Sequence, residues 1–213
     1  MEATIRLNQI YVNLLGEGDA AGLPVVYVEL SGCRISCDLP AHGKRLPEGT
    51  EISIDEVAER VQSYGLTNVY IMGGEPLLQG GALLLAKRLL EQEMTVYIET
   101  NCTLEPEDLD PKLIRIADLK CPSNGTCYQI RWDCVERLGQ NDCVKFVISD
   151  RGDYVWARDV IKRSGLEGNR RVYLIPLKGF MACETLLEWV MADKLQTRLH
   201  FPPTVSSHGV VTN

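Results

Sequence analysis

Two cysteines in one short segment are the residues best suited to chemistry in this sequence. Cys33 and Cys37 stand four positions apart in SGCRISCDLPAHG, and Pro40 and His42 follow them. Iron–sulfur clusters are held by several cysteine thiolates. A structural zinc site needs more ligands than the three at most that Cys33, Cys37 and His42 offer. The pair is therefore interpreted either as a variant of a cluster-binding loop or as two inert thiols that pack as small hydrophobic side chains.

The composition limits the partners of the chain. Its 213 residues include 29 acidic and 22 basic side chains, a formal net charge of -7. That charge argues against nucleic acid, because phosphate groups are bound by clustered Lys and Arg. No apolar run approaches the roughly 18 residues of a membrane span, and MEATIRLNQI lacks the apolar core of a signal peptide. We therefore expect a cytoplasmic protein without a membrane partner, whose eight cysteines are reduced thiols.

Apolar segments alternate with helical patterns. Strands are predicted at TIRLNQIYV, PVVYVELS, NVYIM, TVYIET, RIADLK, CVKFVIS, RVYLIP and TRLHF, and helices at SIDEVAERVQSYG, GALLLAKRLLEQE, DYVWARDVIKRSG and CETLLEWVMADK. Ser53 with Glu56 three residues later forms a capping box at the first helix. The alternation predicts an α/β fold with a mostly parallel sheet, and about six strands in such units favour an open, partial β/α barrel. We expect one domain over residues 1–213, with a divergent, polar tail at 201–213.

Polar loops follow several of the predicted strands. They read SGCRISCD, GGEPLLQ, TNCT and KCPSNG. Because the carboxyl ends of parallel strands meet at one edge of a sheet, these loops should converge where small-molecule sites usually form. Gly73 and Gly74 permit a close approach of backbone to a ligand, and they are equally explained by turn geometry alone.

The order of these motifs identifies a family. The series LLGEG, AGLPVVYVELSGC, GGEPLLQ, YIETN, DLKCPS and VKFVISDRGDYVWARDVIKR resembles the 7-carboxy-7-deazaguanine synthase family of radical S-adenosylmethionine enzymes. The resemblance runs from about Ile10 to Lys194 without a large gap. GGEP alone indicates the broad superfamily, whereas GEG before the cysteine loop, with ETN and DLKCP after it, is specific to this branch.

The resemblance implies a reaction and its cofactors. In this family a [4Fe–4S] cluster binds S-adenosyl-L-methionine and reduces it to a 5′-deoxyadenosyl radical. The radical starts the ring contraction of 6-carboxy-5,6,7,8-tetrahydropterin to 7-carboxy-7-deazaguanine, a precursor of queuosine and related 7-deazapurines. Members of the family are homodimers, use Mg²⁺ near the substrate, and receive electrons from a donor such as flavodoxin or ferredoxin.

The resemblance also assigns site residues. Cys33 and Cys37 match cluster ligands. The positions that match the S-adenosylmethionine site are Gly74, Glu75, Asn101, Lys120, Cys121, Pro122 and Ser123. The positions that match the substrate site are Leu14, Leu15, Gly16, Glu29 and Met72. No residue is assigned to magnesium, because Leu39 or Pro40 stands where the family has a threonine.

Other positions depart from the family pattern. Pro40 falls where the third cluster cysteine belongs, so the ligand set is completed only if His42, Cys102 or Cys121 takes its place. Glu29 replaces an arginine that pairs with the substrate carboxylate, and a like charge there would repel that group.

Two further substitutions fall on the substrate side, where Leu15 replaces a glutamine and Met72 a threonine. Three interpretations follow: an active synthase with an unusual ligand set, a catalytically inactive relative that binds S-adenosylmethionine, a pterin or a protein partner, or a sequence that carries a short deletion.

Overall fold

The chain forms a nine-stranded sheet with helices between its parallel strands. The computed structural model describes residues 3–35, 48–106, 109–167 and 171–200. The strands are β1 (Thr4–Leu14), β2 (Pro24–Leu30), β3 (Thr50–Ser53), β4 (Asn68–Gly73), β5 (Thr95–Thr100), β6 (Ile114–Asp118), β7 (Cys143–Ile148), β8 (Arg171–Pro176) and β9 (Arg198–Leu199). The helices are α1 (Ile54–Ser63), α2 (Gly80–Glu91), α3 (Trp132–Glu136), α4 (Arg151–Arg163) and α5 (Cys183–Ala192).

The order of the strands places the loops of the candidate site side by side. Across the sheet it is β3-β1-β2-β4-β5-β6-β7-β8-β9, with every pairing from β2 onward parallel and β1 antiparallel to both β2 and β3. The sheet is open, with β3 and β9 at its edges. The predicted fold class, an open α/β sheet of mostly parallel strands, is therefore confirmed. All eight predicted strands form, and the ninth strand, β3, was not predicted because its four residues are too few to show a clear pattern.

Side chains alternate between the two faces of the sheet, as strand geometry requires. On β4, Val69 and Ile71 pack in an apolar cluster with residues of α1 and α2, and α4 and α5 cover the strands β6 to β8 in a second cluster. Tyr70 and Met72 belong to the other face. We call that face the helix-free face: its buried cluster contains Tyr11, Tyr27, Tyr70, Tyr97, Ile116, Cys143 and Tyr173, and no described helix contributes to it.

The predicted cap of the first helix is confirmed. The Ser53 hydroxyl accepts the Glu56 backbone N–H at 3.2 Å and begins α1. The reciprocal half of the capping box is replaced by an ion pair, because the Glu56 carboxylate binds Arg60 at 2.5 Å instead. The short α3 was not predicted. Within the described ranges, no helix is long and apolar enough to cross a bilayer. The tail at 201–213 lies outside the described residues.

Candidate functional site

The loop after β4 is bonded directly to the segment that leads to Cys33. The Gly74 N–H donates to the Leu30 carbonyl at 3.3 Å, and the Glu75 N–H donates to the Gly32 carbonyl at 2.9 Å. A Cβ on Gly74 would lie 2.0 Å from the Gly32 oxygen, so only glycine permits this approach. The two glycine-containing loops therefore hold Cys33 at the carboxyl edge of the sheet.

Glu75 joins this loop to the one after β5. Its side chain is buried, and its carboxylate accepts the N–H of Leu77 at 3.1 Å, the N–H of Asn101 at 2.7 Å and the Thr100 hydroxyl at 3.3 Å. Burial raises the pKa of Glu75 to about 7, against the effect of these hydrogen bonds, and the nearby charge of Glu99 adds to the rise. The carboxyl group therefore changes its protonation near neutral pH while it supports the loop backbone.

Asn101 completes this part of the candidate site. Its side-chain amide points its Nδ2 toward the Cys33 sulfur at 4.0 Å, and its Oδ1 accepts the Thr103 backbone N–H at 3.0 Å. The fold thus brings together Cys33, Gly74, Glu75 and Asn101, four residues selected from the sequence. Their assignment to S-adenosylmethionine and cluster binding stays a prediction.

Lys120 to Ser123, in the loop after β6, make their side-chain contacts mainly with other residues of the protein. The Lys120 ammonium donates to Asp118 at 2.5 Å, and the Ser123 hydroxyl donates to Asp153 on α4 at 2.5 Å. Cys121 is buried in the apolar cluster beneath α4 and α5, and burial raises the pKa of its thiol. Pro122 begins a 3₁₀ turn. These contacts determine the conformation of the loop. The role of the four residues in binding S-adenosylmethionine stays a prediction.

A charged network lies on the helix-free face beside these loops. The Lys145 ammonium is 2.8 Å from the Glu99 carboxylate and 4.0 Å from Asp118, and the Tyr70 hydroxyl donates to Glu99. Burial opposes the charge of Lys145, but Glu99, Glu17 and Asp118 outweigh it and raise the pKa of the lysine. The network therefore keeps buried charges of both signs paired, as low-dielectric surroundings require.

Glu17 and His200 connect the beginning of the chain to its last described strand. The His200 Nδ1 lies 3.3 Å from the Glu17 carboxylate. Burial disfavours the ionised form of Glu17, but Lys145 and His200 more than offset it and lower the pKa. A Cβ on Gly16 would lie 1.9 Å from the His200 ring, so the glycine is what lets the imidazole pack there.

The residues assigned to the substrate lie in different surroundings. The Leu15 side chain is 1% exposed and packs in the core of the helix-free face, whereas Leu14 is 38% exposed. Glu29 lies at the end of β2 beside Met72 of β4, and its carboxylate accepts the Gln9 amide at 2.6 Å. Leu15 is therefore a core residue in this structure, while Glu29 and Met72 lie together on the helix-free face.

The structure does not assemble a complete cluster site within the residues it describes. Cys33 is exposed, and Cys37 and His42 lie outside the described ranges. In those ranges no group of three or more His, Cys, Asp or Glu side chains could hold a metal ion. Cys102 and Cys121, considered above as replacements, are both buried in an apolar cluster, and burial raises the pKa of the Cys121 thiol, which opposes the thiolate form that a metal needs.

Sequence reasoning did not select Glu17, Glu99, Asp118, Lys145 or His200 as site residues. The available signal was a charge inside a mostly apolar strand. Glu99 and Asp118 lie near the carboxyl ends of β5 and β6, Lys145 lies in the middle of β7, and Asp118 pairs with Lys145 across β6 and β7. Charged side chains are rarely buried unless they are paired, so these positions pointed to a network.

Comparison with known proteins gives one consistent result. The chain is 31% identical over 204 residues to the 7-carboxy-7-deazaguanine synthase of Chlorobaculum tepidum, covering 93% of this chain and 91% of that protein. It is 32% identical over 213 residues to the protein of the same name from Koribacter versatilis, covering 92% and 93% of the two chains. The chain matches none of the protein-family models.

A solved structure shares the fold. The crystal structure of QueE from Escherichia coli superimposes with a TM-score of 0.73 over 93% of this chain and 94% of that one, at 19% sequence identity. The likeness agrees with the open, mostly parallel sheet described above.

Proposed function

The chain belongs to the 7-carboxy-7-deazaguanine synthase family, and from that premise we propose that it forms 7-carboxy-7-deazaguanine by radical ring contraction of 6-carboxy-5,6,7,8-tetrahydropterin. The observation that carries the proposal is the identity of 31% and 32% to two such synthases over more than nine-tenths of the chain. The contacts among the loops of Cys33, Gly74 and Asn101 support it, because they place the relevant motifs at one edge of the sheet.

We assign S-adenosyl-L-methionine to that edge. The loop of Gly74 would border the ligand on one strand end, Asn101 would offer its amide on the next, and the turn from Lys120 to Ser123 would line the site after β6. Glu75 acts mainly as a positioning residue, since its two oxygens already accept three donors from the protein. Its role is to fix the two loops between which the ligand lies.

We assign the pterin to the helix-free face. Leu14 and Gly16 would border it near β1, and Glu29 and Met72 would form the wall at β2 and β4. Glu29 is a half-buried carboxylate at this wall, and its charge would oppose the carboxylate of the bound pterin. Glu17 and His200, which contact each other beside Gly16, are further polar groups able to bind the ligand there.

The cysteines of this chain do not fit the usual [4Fe–4S] ligand set, because Pro40 stands where the third loop cysteine belongs and the possible replacements Cys102 and Cys121 are buried in an apolar cluster. We therefore assign binding and positioning to this part of the chain and route no step through a cluster. Magnesium, the homodimer, a flavodoxin- or ferredoxin-like electron donor and a cytoplasmic location remain proposals that rest on the family.

A second candidate function follows from the same disagreement. A relative that binds S-adenosylmethionine or a pterin without turnover would keep the loop contacts and lose the cluster. The buried positions of Cys102 and Cys121 favour this candidate, because they leave the paired loop cysteines without a third thiolate from the described residues.

Anaerobic reconstitution with iron and sulfide separates the two functions. A synthase is expected to retain about four irons per chain and to give an EPR signal that shifts when S-adenosylmethionine is added. Cys33→Ala should abolish both, whereas Cys183→Ala, which changes a thiol on α5, should not. Well-folded protein that retains no iron but binds S-adenosylmethionine or pterin in a calorimeter would establish the second candidate instead.

A further inference from the structure

Two buried thiols contact each other next to the candidate site. The Cys102 and Cys134 sulfurs are 2.9 Å apart, although the residues are 32 positions apart in the chain. Their exposures are 0% and 1%. A disulfide places its sulfurs about 2.05 Å apart, so bond formation needs an approach of less than about 1 Å.

The backbone around the pair is already fixed. Cys102 follows Asn101 directly and has a φ of 53°, in the left-handed region that residues other than glycine seldom adopt. Its carbonyl accepts the Arg131 N–H at 2.8 Å, and its own N–H donates to the Thr100 hydroxyl at 3.2 Å. The Arg131 bond joins the loop after β5 to the beginning of α3, which carries Cys134, and the Thr100 bond fixes the loop itself, so together they support the contact of the two sulfurs.

We propose that Cys102 and Cys134 form a reversible disulfide that locks the loop of Asn101 to α3 when the protein meets hydrogen peroxide. One thiol sulfur attacks the peroxide oxygen, which breaks the O–O bond, releases water and leaves a sulfenic acid. The second thiol displaces the sulfenic oxygen as another water and forms the S–S bond. The two thiols thereby lose two electrons and one peroxide is reduced to two waters.

The surroundings of Cys134 determine how fast the two thiols are oxidised. Contact with Cys102 and burial raise the pKa of the Cys134 thiol, and the nearby Glu105 carboxylate adds to the rise. Since the thiolate is the reactive form, the raised pKa of Cys134 slows its reaction. The expected behaviour is slow oxidation followed by persistence of the disulfide, because the protein holds both sulfurs together.

Peptide mapping tests the bond directly on the full chain. Trypsin cleavage places Cys102 in the peptide 89–112 and Cys134 in the peptide 132–137, and each peptide contains one cysteine. After treatment with peroxide and alkylation of the remaining thiols, mass spectrometry should detect these two peptides as one cross-linked species that a reductant separates. Cys134→Ala and Cys134→Ser should both lack it, while Cys183→Ser on α5 should retain it.

Two further measurements test the lock. The cross-linked protein should melt roughly 5–10 °C higher than the reduced protein, because a long chain segment is closed in the unfolded state. Deuterium exchange of the Asn101 segment should slow at least severalfold. Absence of the cross-linked peptide would overturn the proposal, and so would a cross-link that leaves both melting and exchange unchanged. None of these readouts depends on synthase activity.

Discussion

The Asn101 backbone N–H donates to the Glu75 carboxylate at 2.7 Å. This bond joins the loop after β4 to the loop after β5, and the same carboxyl group accepts the Leu77 N–H in its own loop. A single buried side chain therefore determines how two neighbouring strand-end loops face each other.

The buried carboxyl group predicts a pH-dependent stability. The pKa of Glu75 is about 7 in the folded protein and 4.5 ordinarily, so the folded state binds more protons between these values and stability falls as pH rises. We expect a contribution of about 3 kcal/mol at pH 4.5 that is lost by about pH 7. Glu17, whose pKa is lowered, acts in the opposite direction and at more acidic pH.

Urea unfolding at several pH values checks this expectation. The Glu75→Gln variant, which cannot ionise, should show a flatter dependence of the unfolding free energy between about pH 4.5 and 7. Glu59→Gln, a change at an exposed position of α1, should behave as the wild type does. An unchanged slope in Glu75→Gln would refute the assigned titration.

The close approach at Gly74 predicts a strong effect of one methyl group. Gly74→Ala would place its Cβ 2.0 Å from the Gly32 carbonyl oxygen, and backbone must move to relieve the clash. We expect a loss of about 2–3 kcal/mol in the free energy of unfolding together with displacement of the Cys33 segment. Gly80→Ala is the matched control, because a Cβ there has no neighbour within 4 Å. Equal stability of the two variants, measured by urea unfolding, would contradict the prediction.

Lys145 is expected to be essential for the stability of the charged network. Lys145→Met takes the ammonium away from Glu99, whereas Asp118 keeps its ion pair with Lys120; the change should cost about 3–5 kcal/mol, the usual result of leaving a buried charge unpaired. Adding Glu99→Gln should restore part of this loss, because it removes the charge that lost its ammonium. A double-mutant cycle by urea unfolding measures the coupling free energy between Lys145 and Glu99. Lys87→Met, on the exposed side of α2, is the control. Additive effects would exclude the coupling.

The charge of Glu29 should control affinity for a carboxylated pterin. Glu29→Arg replaces a repelling charge by an attracting one at the wall of the helix-free face and should tighten binding of 6-carboxy-5,6,7,8-tetrahydropterin by at least about tenfold. Glu29→Gln should give a smaller gain, and Glu59→Arg, the same charge change far from the site, should give none. Calorimetry that finds weaker binding in Glu29→Arg would show that this carboxylate accepts a hydrogen bond from the ligand.

Local sequence patterns predicted the fold more completely than they predicted the contacts of the candidate site. The strands around Val69 to Met72 and Thr95 to Thr100 were predicted because apolar alternation and caps are local properties of sequence. The Glu75 contacts with Asn101 were not predictable in the same way, since they depend on how two loops meet across parallel strands. The pairing of Cys102 with Cys134 is likewise a tertiary contact, across 32 positions, that no local pattern encodes.

The resemblance to the family selected Leu15, which the structure places in the core with 1% exposure. Burial of a leucine side chain is favourable by about 2 kcal/mol, which accounts for the inward position of Leu15 in the core of the helix-free face. The resemblance therefore assigned Leu15 to the substrate site, whereas its side chain is part of the core.

The most direct test of the proposed function is formation of the product. Protein reconstituted anaerobically should convert 6-carboxy-5,6,7,8-tetrahydropterin to 7-carboxy-7-deazaguanine in the presence of S-adenosylmethionine, Mg²⁺ and a reductant, as followed by mass spectrometry. We predict at least one product per chain, and none from the Cys33→Ala variant. Folded, reconstituted protein that yields neither 7-carboxy-7-deazaguanine nor 5′-deoxyadenosine would contradict the synthase proposal.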